Sequence, residues 1–159
     1  MSKQTIETFF AGKNLVVPSY QRDYAWKERN IDELFADVEE ALEVGGHYLG
    51  TFILSQQSTS APVFVVDGQQ RLTTLTMLLD ALIGSLENAE IRAVMRSTYI
   101  QHPLTGYKFQ VLGENKDFFE AMLAKQNPEP TSAGQTRLSK AYQHIRLRVQ
   151  DLVKQGGQP

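Results

Sequence analysis

Residues 63–86 constrain the fold more than any other stretch of the chain. Val63-Phe64-Val65-Val66 is a continuous apolar run, Asp67-Gly68 is a turn, and beyond it Leu72, Leu75, Leu79, Leu82, Ile83 and Leu86 recur at helical spacing. An unbroken apolar strand predicts burial on both faces. The broad apolar face over 69–86 predicts a helix central to the core. A strand therefore ends where a buried helix begins. Such a junction presents free backbone N–H groups and the positive end of a helix dipole, a setting suited to anions and above all to phosphates.

Four polar side chains, Asp67, Gln69, Gln70 and Arg71, crowd this turn. A cap needs only one. Asp67 as a plain helix cap with Arg71 facing solvent is the structural alternative. In the functional reading Gly68 lets a phosphate approach the backbone, and Arg71 grips its oxygens with a guanidinium fork. A carboxylate beside a phosphate needs a cation between them, so Asp67 reads as a Mg²⁺ holder or a water-orienting group. Gln69 or Gln70 would meet a base edge or position a water; spacing alone does not divide those tasks.

The flanking sequence supplies both kinds of secondary structure. Residues 5–11 read as a short helix capped by Thr5, and Leu15-Val16-Val17-Pro18 as a brief strand. Ile31, Leu34, Phe35, Val38 and Leu42 mark a helix from Asn30 to Val44 that Gly45-Gly46 stops. Its many acidic residues read as a solvated face. A second strand is expected over 47–54, a polar loop over 56–62, a helix over 88–99, a strand over 107–112 and a helix over 114–125. Asn115 and Asp117 read as the start of that helix. Asn127-Pro128-Glu129-Pro130 opens a linker that runs to Gly134, and Leu138, Tyr142, Ile145, Val149 and Leu152 mark a last amphipathic helix. The predicted class is α/β (α+β), a small mixed sheet covered by helices. Residues 1–126 would form the main domain, 127–134 a loop, and 135–159 a C-terminal helix of the same domain.

A second polar cluster lies in Tyr20-Gln21-Arg22-Asp23-Tyr24-Ala25-Trp26. Aromatic rings and an arginine in one loop make a stacking and phosphate-binding set. Tyr24 and Trp26 also read as core residues that hold the loop against the next helix; Gln21 and Arg22 are too polar for that.

Several chemistries are disfavoured. There is no cysteine, which removes disulfides, thiolate metal sites and cysteine nucleophiles. No Gly-x-x-x-x-Gly-Lys-Ser/Thr motif occurs, so a nucleotide site would be of another kind. His47, His102 and His144 lack metal-ligand spacing. A net charge of −2 gives no basic excess for gripping duplex DNA. Arg137, Lys140, His144 and Arg148 share one stripe of the last helix, which reads as a solvated face before a nucleic-acid contact. No apolar run reaches membrane-span length and the amino terminus lacks a signal-peptide core, so a cytoplasmic location is the expectation.

Three segments carry a family resemblance. Pro18-x-Tyr20-Gln21-Arg22-x-Tyr24-x-Trp26, Tyr48-Leu49-Gly50 and Asp67-Gly68-Gln69-Gln70-Arg71-Leu72-Thr73-Thr74-Leu75 follow in order the signature of DUF262 domains. These resemble the amino-terminal, ParB/sulfiredoxin-like domain of GmrSD-type modification-dependent restriction enzymes and related phage-defence proteins. The resemblance is strongest over residues 14–86. It implies binding and hydrolysis of a nucleoside triphosphate, coupled to sensing of modified or foreign DNA through the full-length protein or a partner nuclease domain of the His-Asn-His class. Nothing after residue 86 reads as such a nuclease motif, so the expectation is a shortened or free-standing domain that does not cleave DNA alone. The candidate site then comprises Asp67, Gln69, Gln70 and Arg71 as catalytic residues, with Asp67 also at Mg²⁺. Gly68, Thr73, Thr74, Tyr20, Gln21 and Arg22 would contact the nucleotide. A non-catalytic ParB-like DNA-recognition module is the alternative.

Overall fold

The leucine-rich run forms the helix that its periodicity predicts, and the strand before it enters a four-stranded sheet. The computed structural model describes residues 2–19, 22–46 and 49–156. In chain order the elements are α1 (Ile6–Phe10), β1 (Leu15–Val17), α2 (Glu28–Val44), β2 (Ile53–Ser55), β3 (Val63–Asp67) and α3 (Gln69–Gly84). They continue with α4 (Ala89–Tyr99), β4 (Gln101–His102), β5 (Gly106–Tyr107), β6 (Phe109–Val111), a 3₁₀ turn (Gly113–Asn115), α5 (Lys116–Leu123) and α6 (Ala133–Gly156).

The main sheet has the order β2-β3-β1-β6. β1 runs parallel to both neighbours, with Leu15 opposite Val63 on one side and Phe109 on the other; β2 is antiparallel to β3. A two-stranded antiparallel ribbon, β4-β5, lies apart. This is the small mixed sheet with covering helices that the sequence predicts.

Leu15, Val63, Val65 and Phe109 from the sheet, Leu72, Leu75 and Leu78 from α3, and Leu138, Ile145 and Val149 from α6 are buried in one core. Burial of side chains of this size contributes about 1.5–3 kcal/mol each relative to exposure. Helix ends follow the sequence signals. Thr5 accepts from the Thr8 N–H at the start of α1, and Gly45 closes α2 in the left-handed region at φ +80°.

Three expectations need adjustment. β3 is not covered on both faces to its end, because Val66 is 44% exposed. Of the strand expected over 47–54, the described part contains only Ile53 and Leu54, and His47 and Tyr48 lie outside the described residues. The strand expected over 107–112 is divided: Lys108 gives its N–H to the Ile100 carbonyl and its carbonyl to the Leu15 N–H, so it leaves the ribbon as it enters the sheet.

Candidate functional site

Three parallel strands end side by side at Val17, Asp67 and Val111. The segments that leave these strands form the walls of a cleft of about 270 Å³. Val17, Pro18, Ser19, Arg22, Asp23 and Tyr24 come from the end of β1 and the loop beyond it. Gln69, Gln70 and Thr73 come from the start of α3, and Leu112, Gly113, Glu114 and Asn115 from the segment after β6. Clefts at the carboxyl ends of parallel strands are the usual ligand sites of α/β sheets.

The N-cap of α3 is Gly68, at φ +94°, a residue with no side chain to cap the helix. A Cβ at Gly68 would lie 2.4 Å from the Phe52 ring, so glycine is required by close packing as well as by its backbone angle. The positive end of a 16-residue helix therefore opens beside the cleft.

The loop after β1 is held by side chains instead of a backbone ladder. Gln70 accepts the Ala25 N–H through Oε1 at 2.8 Å and donates from Nε2 to the Asp23 carbonyl at 3.1 Å. Arg137 of α6 donates to the Tyr24 carbonyl at 2.7 Å. Thr74 donates its hydroxyl proton to the Gln70 carbonyl, so the Tyr24 hydroxyl, 2.8 Å away, donates to Thr74. Burial away from water pushes the Tyr24 phenol up to about 12, against the weaker opposing effect of the Thr74 hydrogen bond. These bonds satisfy a stretch of backbone that no strand pairs.

Asp23 is fixed as well. Its Oδ1 accepts from Asn115 Nδ2 at 3.0 Å. Its Oδ2 lies 2.8 Å from where a Cβ on Gly134 would stand, at the first turn of α6. A carboxylate is favoured beside a helix start.

The structure thus separates the sequence candidates into two groups around the start of α3. Gln69, Gln70, Thr73 and Arg22 line the cleft, and Thr74 lies buried behind it. Thr73 donates to the Gln69 carbonyl at 2.7 Å. Asp67 and Arg71 are not among the cleft-lining residues. Asp67 is exposed at the end of β3, opposite Ile53. The Arg71 guanidinium rests on Gly50, where an added Cβ would come within 2.2 Å of Nη1. Gly50, at φ +114°, and Arg71 belong to different sequence motifs, and this contact joins them. Tyr20 and Gln21 lie outside the described residues.

Asp23, Asn115 and Gly134 were not nominated for the site from the sequence, and Arg137 was weighed only as part of a cationic stripe. Asp23 carried a signal, a carboxylate inside the polar loop; the others are distant in sequence and look like ordinary helix-end residues. Among the described residues no group of three His, Asp or Glu side chains is placed to hold a metal ion. The cationic stripe of α6 is largely engaged within the protein. His144 Nε2 meets Asp32 at 2.8 Å, Arg148 lies 3.6 Å from Glu39, and Arg137 serves the loop. The acidic face of α2 is therefore partly an interface with α6 and not wholly solvated. Among the described residues no helix is long and apolar enough to cross a membrane.

Compared with known families, residues 6–154 match the GmrSD restriction endonuclease, N-terminal domain. Among curated proteins nothing matches the chain.

Proposed function

Because the chain belongs to the family of GmrSD restriction endonuclease N-terminal domains, we propose that it binds and hydrolyses a nucleoside triphosphate as the sensing step of a restriction or phage-defence protein that acts on DNA. The observation that carries this reading is the start of α3, with a glycine as its N-cap, at the mouth of the cleft. Backbone N–H groups and the helix dipole favour phosphate oxygens there. Arg22 stands on the cleft side and Arg71 on the Gly50 side, so a polyphosphate across the first turn would meet a guanidinium from each.

Mg²⁺ commonly binds through one or two carboxylates together with substrate phosphates. Exposed Asp67 suits that arrangement as a single protein ligand to an ion that arrives with the nucleotide. The ion would screen the phosphate charge and sharpen the electrophile. Gln69, on the cleft side, is the candidate for orienting the attacking water. Gln70 has a different role, because both ends of its amide hold the loop. It is a positioning residue for Arg22 and Asp23.

The test is nucleotide hydrolysis with and without DNA by wild type, Arg22→Ala and Arg71→Ala. The expected result is a loss of about 100-fold or more in turnover for each variant, as when a transition-state donor is removed, at an unchanged melting temperature. Salt-sensitive DNA binding by a chain that binds no nucleotide would instead establish a recognition module without turnover.

A further inference from the structure

A second cavity, of about 310 Å³, lies at the other end of α3, away from the cleft. Asp80, Ile83 and Gly84 of α3, Ala89, Arg92, Ala93 and Arg96 of α4, and Lys125 beyond α5 line it. Residues 89, 92, 93 and 96 follow the helical i, i+3, i+4, i+7 pattern and so form a single face of α4. A helix packed on a core normally turns an apolar stripe inward. Here the face toward α3 alternates alanine with arginine, while Ile91, Val94 and Met95 are exposed. Small side chains leave the space open and cations surround it.

The charges do not cancel within the cavity wall. Asp80 is the one carboxylate among the described lining residues, and its side chain is fully buried. It pairs with Arg96 Nη1 at 2.8 Å, with Lys125, and with the Tyr142 hydroxyl. Arg96 also donates to the Leu123 carbonyl at 3.0 Å, which fixes the guanidinium between α3 and α5. Lys125 is set by its backbone, at φ +61° in the left-handed region. Arg92 has a different anchor, the Leu86 carbonyl. Two cations thus attend the buried carboxylate and a third stands beside them without sharing it.

We propose that this cavity is a second anion site, for the phosphate group of a small molecule. Arg92 provides the charge that Asp80 does not balance, and Arg96 and Lys125 provide donors already held in place. Ile83, Ala89 and Ala93 give one apolar wall, which suits a phosphate carried on a compact organic group better than a nucleic-acid backbone. The site is independent of the cleft and does not require the chain to hydrolyse anything.

Phosphate titration at constant ionic strength, with chloride as the balancing ion, tests this by calorimetry and by amide NMR. Inorganic phosphate and a nucleoside monophosphate are the two probes, and wild type is compared with Arg92→Gln, Ala93→Leu and Arg22→Ala. Loss of one charge-assisted donor is expected to weaken phosphate about tenfold in Arg92→Gln. Ala93→Leu, which keeps every charge and fills the space, is expected to abolish the α4 amide shifts with both probes. Arg22→Ala in the cleft is expected to leave the shifts of the α4 amides unchanged, whatever it does to binding in the cleft, and so separates the two sites. Neither cavity variant removes a partner of Asp80, so the fold is retained. Phosphate that leaves the α4 amides unmoved, or that moves them equally in all four proteins, overturns the proposal.

Discussion

A methyl group at Gly68 would enter the space occupied by the Phe52 ring, and φ +94° would strain any side chain there. Gly68→Ala is therefore expected to lose about 1–3 kcal/mol of stability, read as a lower urea midpoint with an unchanged slope. Asp80 offers a second test at this scale. Its buried carboxylate meets side chains from α4, α6 and the turn after α5. Asp80→Ala is expected to cost about 3 kcal/mol, because a buried pair is broken and cations are left without their partner. Individual residues were legible in the sequence where local geometry decides them: Thr5 as a cap, Gly45 as a helix stop and Gly68 as a turn were all readable. Asn115 was not. It stands at the start of α5 as expected, but its amide reaches back to Asp23, and no local pattern encodes a contact across that much chain.

At the scale of elements, α3 carries the account. Its periodicity announced a core helix, and Leu72, Leu75 and Ile83 are buried as expected, while Leu79, Leu82 and Leu86 are only partly buried. Its first turn performs two tasks that spacing could not separate. Gln69 and Thr73 face the cleft, while Gln70 clamps the loop at Asp23 and Ala25. Gln70→Ala is predicted to free residues 22–25 without unfolding the chain. The checking measurement is hydrogen exchange. Protection of the Ala25 amide should fall while that of core strand β1 stays near wild type. The loop itself read as an aromatic cluster poised between core and site, and its side chains divide between the core and the cleft. Tyr24 is buried while Arg22 lines the cleft. Strand ends were harder to read, because pairing partners decide them. The division at Lys108 depends on Ile100 and Leu15.

For the whole molecule, one core ties the sheet to α3 and α6, so buried titrating groups report on global stability. Tyr24 has its phenol pushed from 10.0 to about 12 by burial, and Tyr142 is also raised, first by burial and then by the nearby Asp80 charge. The unfolded chain releases these protons first, so their contribution is fully present below pH 10. It is lost as the pH rises toward the folded values. Unfolding free energy should therefore fall above pH 10, and Tyr24→Phe should flatten part of that decline. A net charge of −2 also fits a domain whose own ligand is small, with DNA met locally or elsewhere in the assembly. Such a ligand can be located directly. In amide NMR of the 17.9 kDa chain titrated with a nucleoside triphosphate and Mg²⁺, the account predicts saturable shifts at Gln69, Gln70 and Arg71, at 22–24 and at 113–115. A titration that leaves those amides unmoved would contradict it.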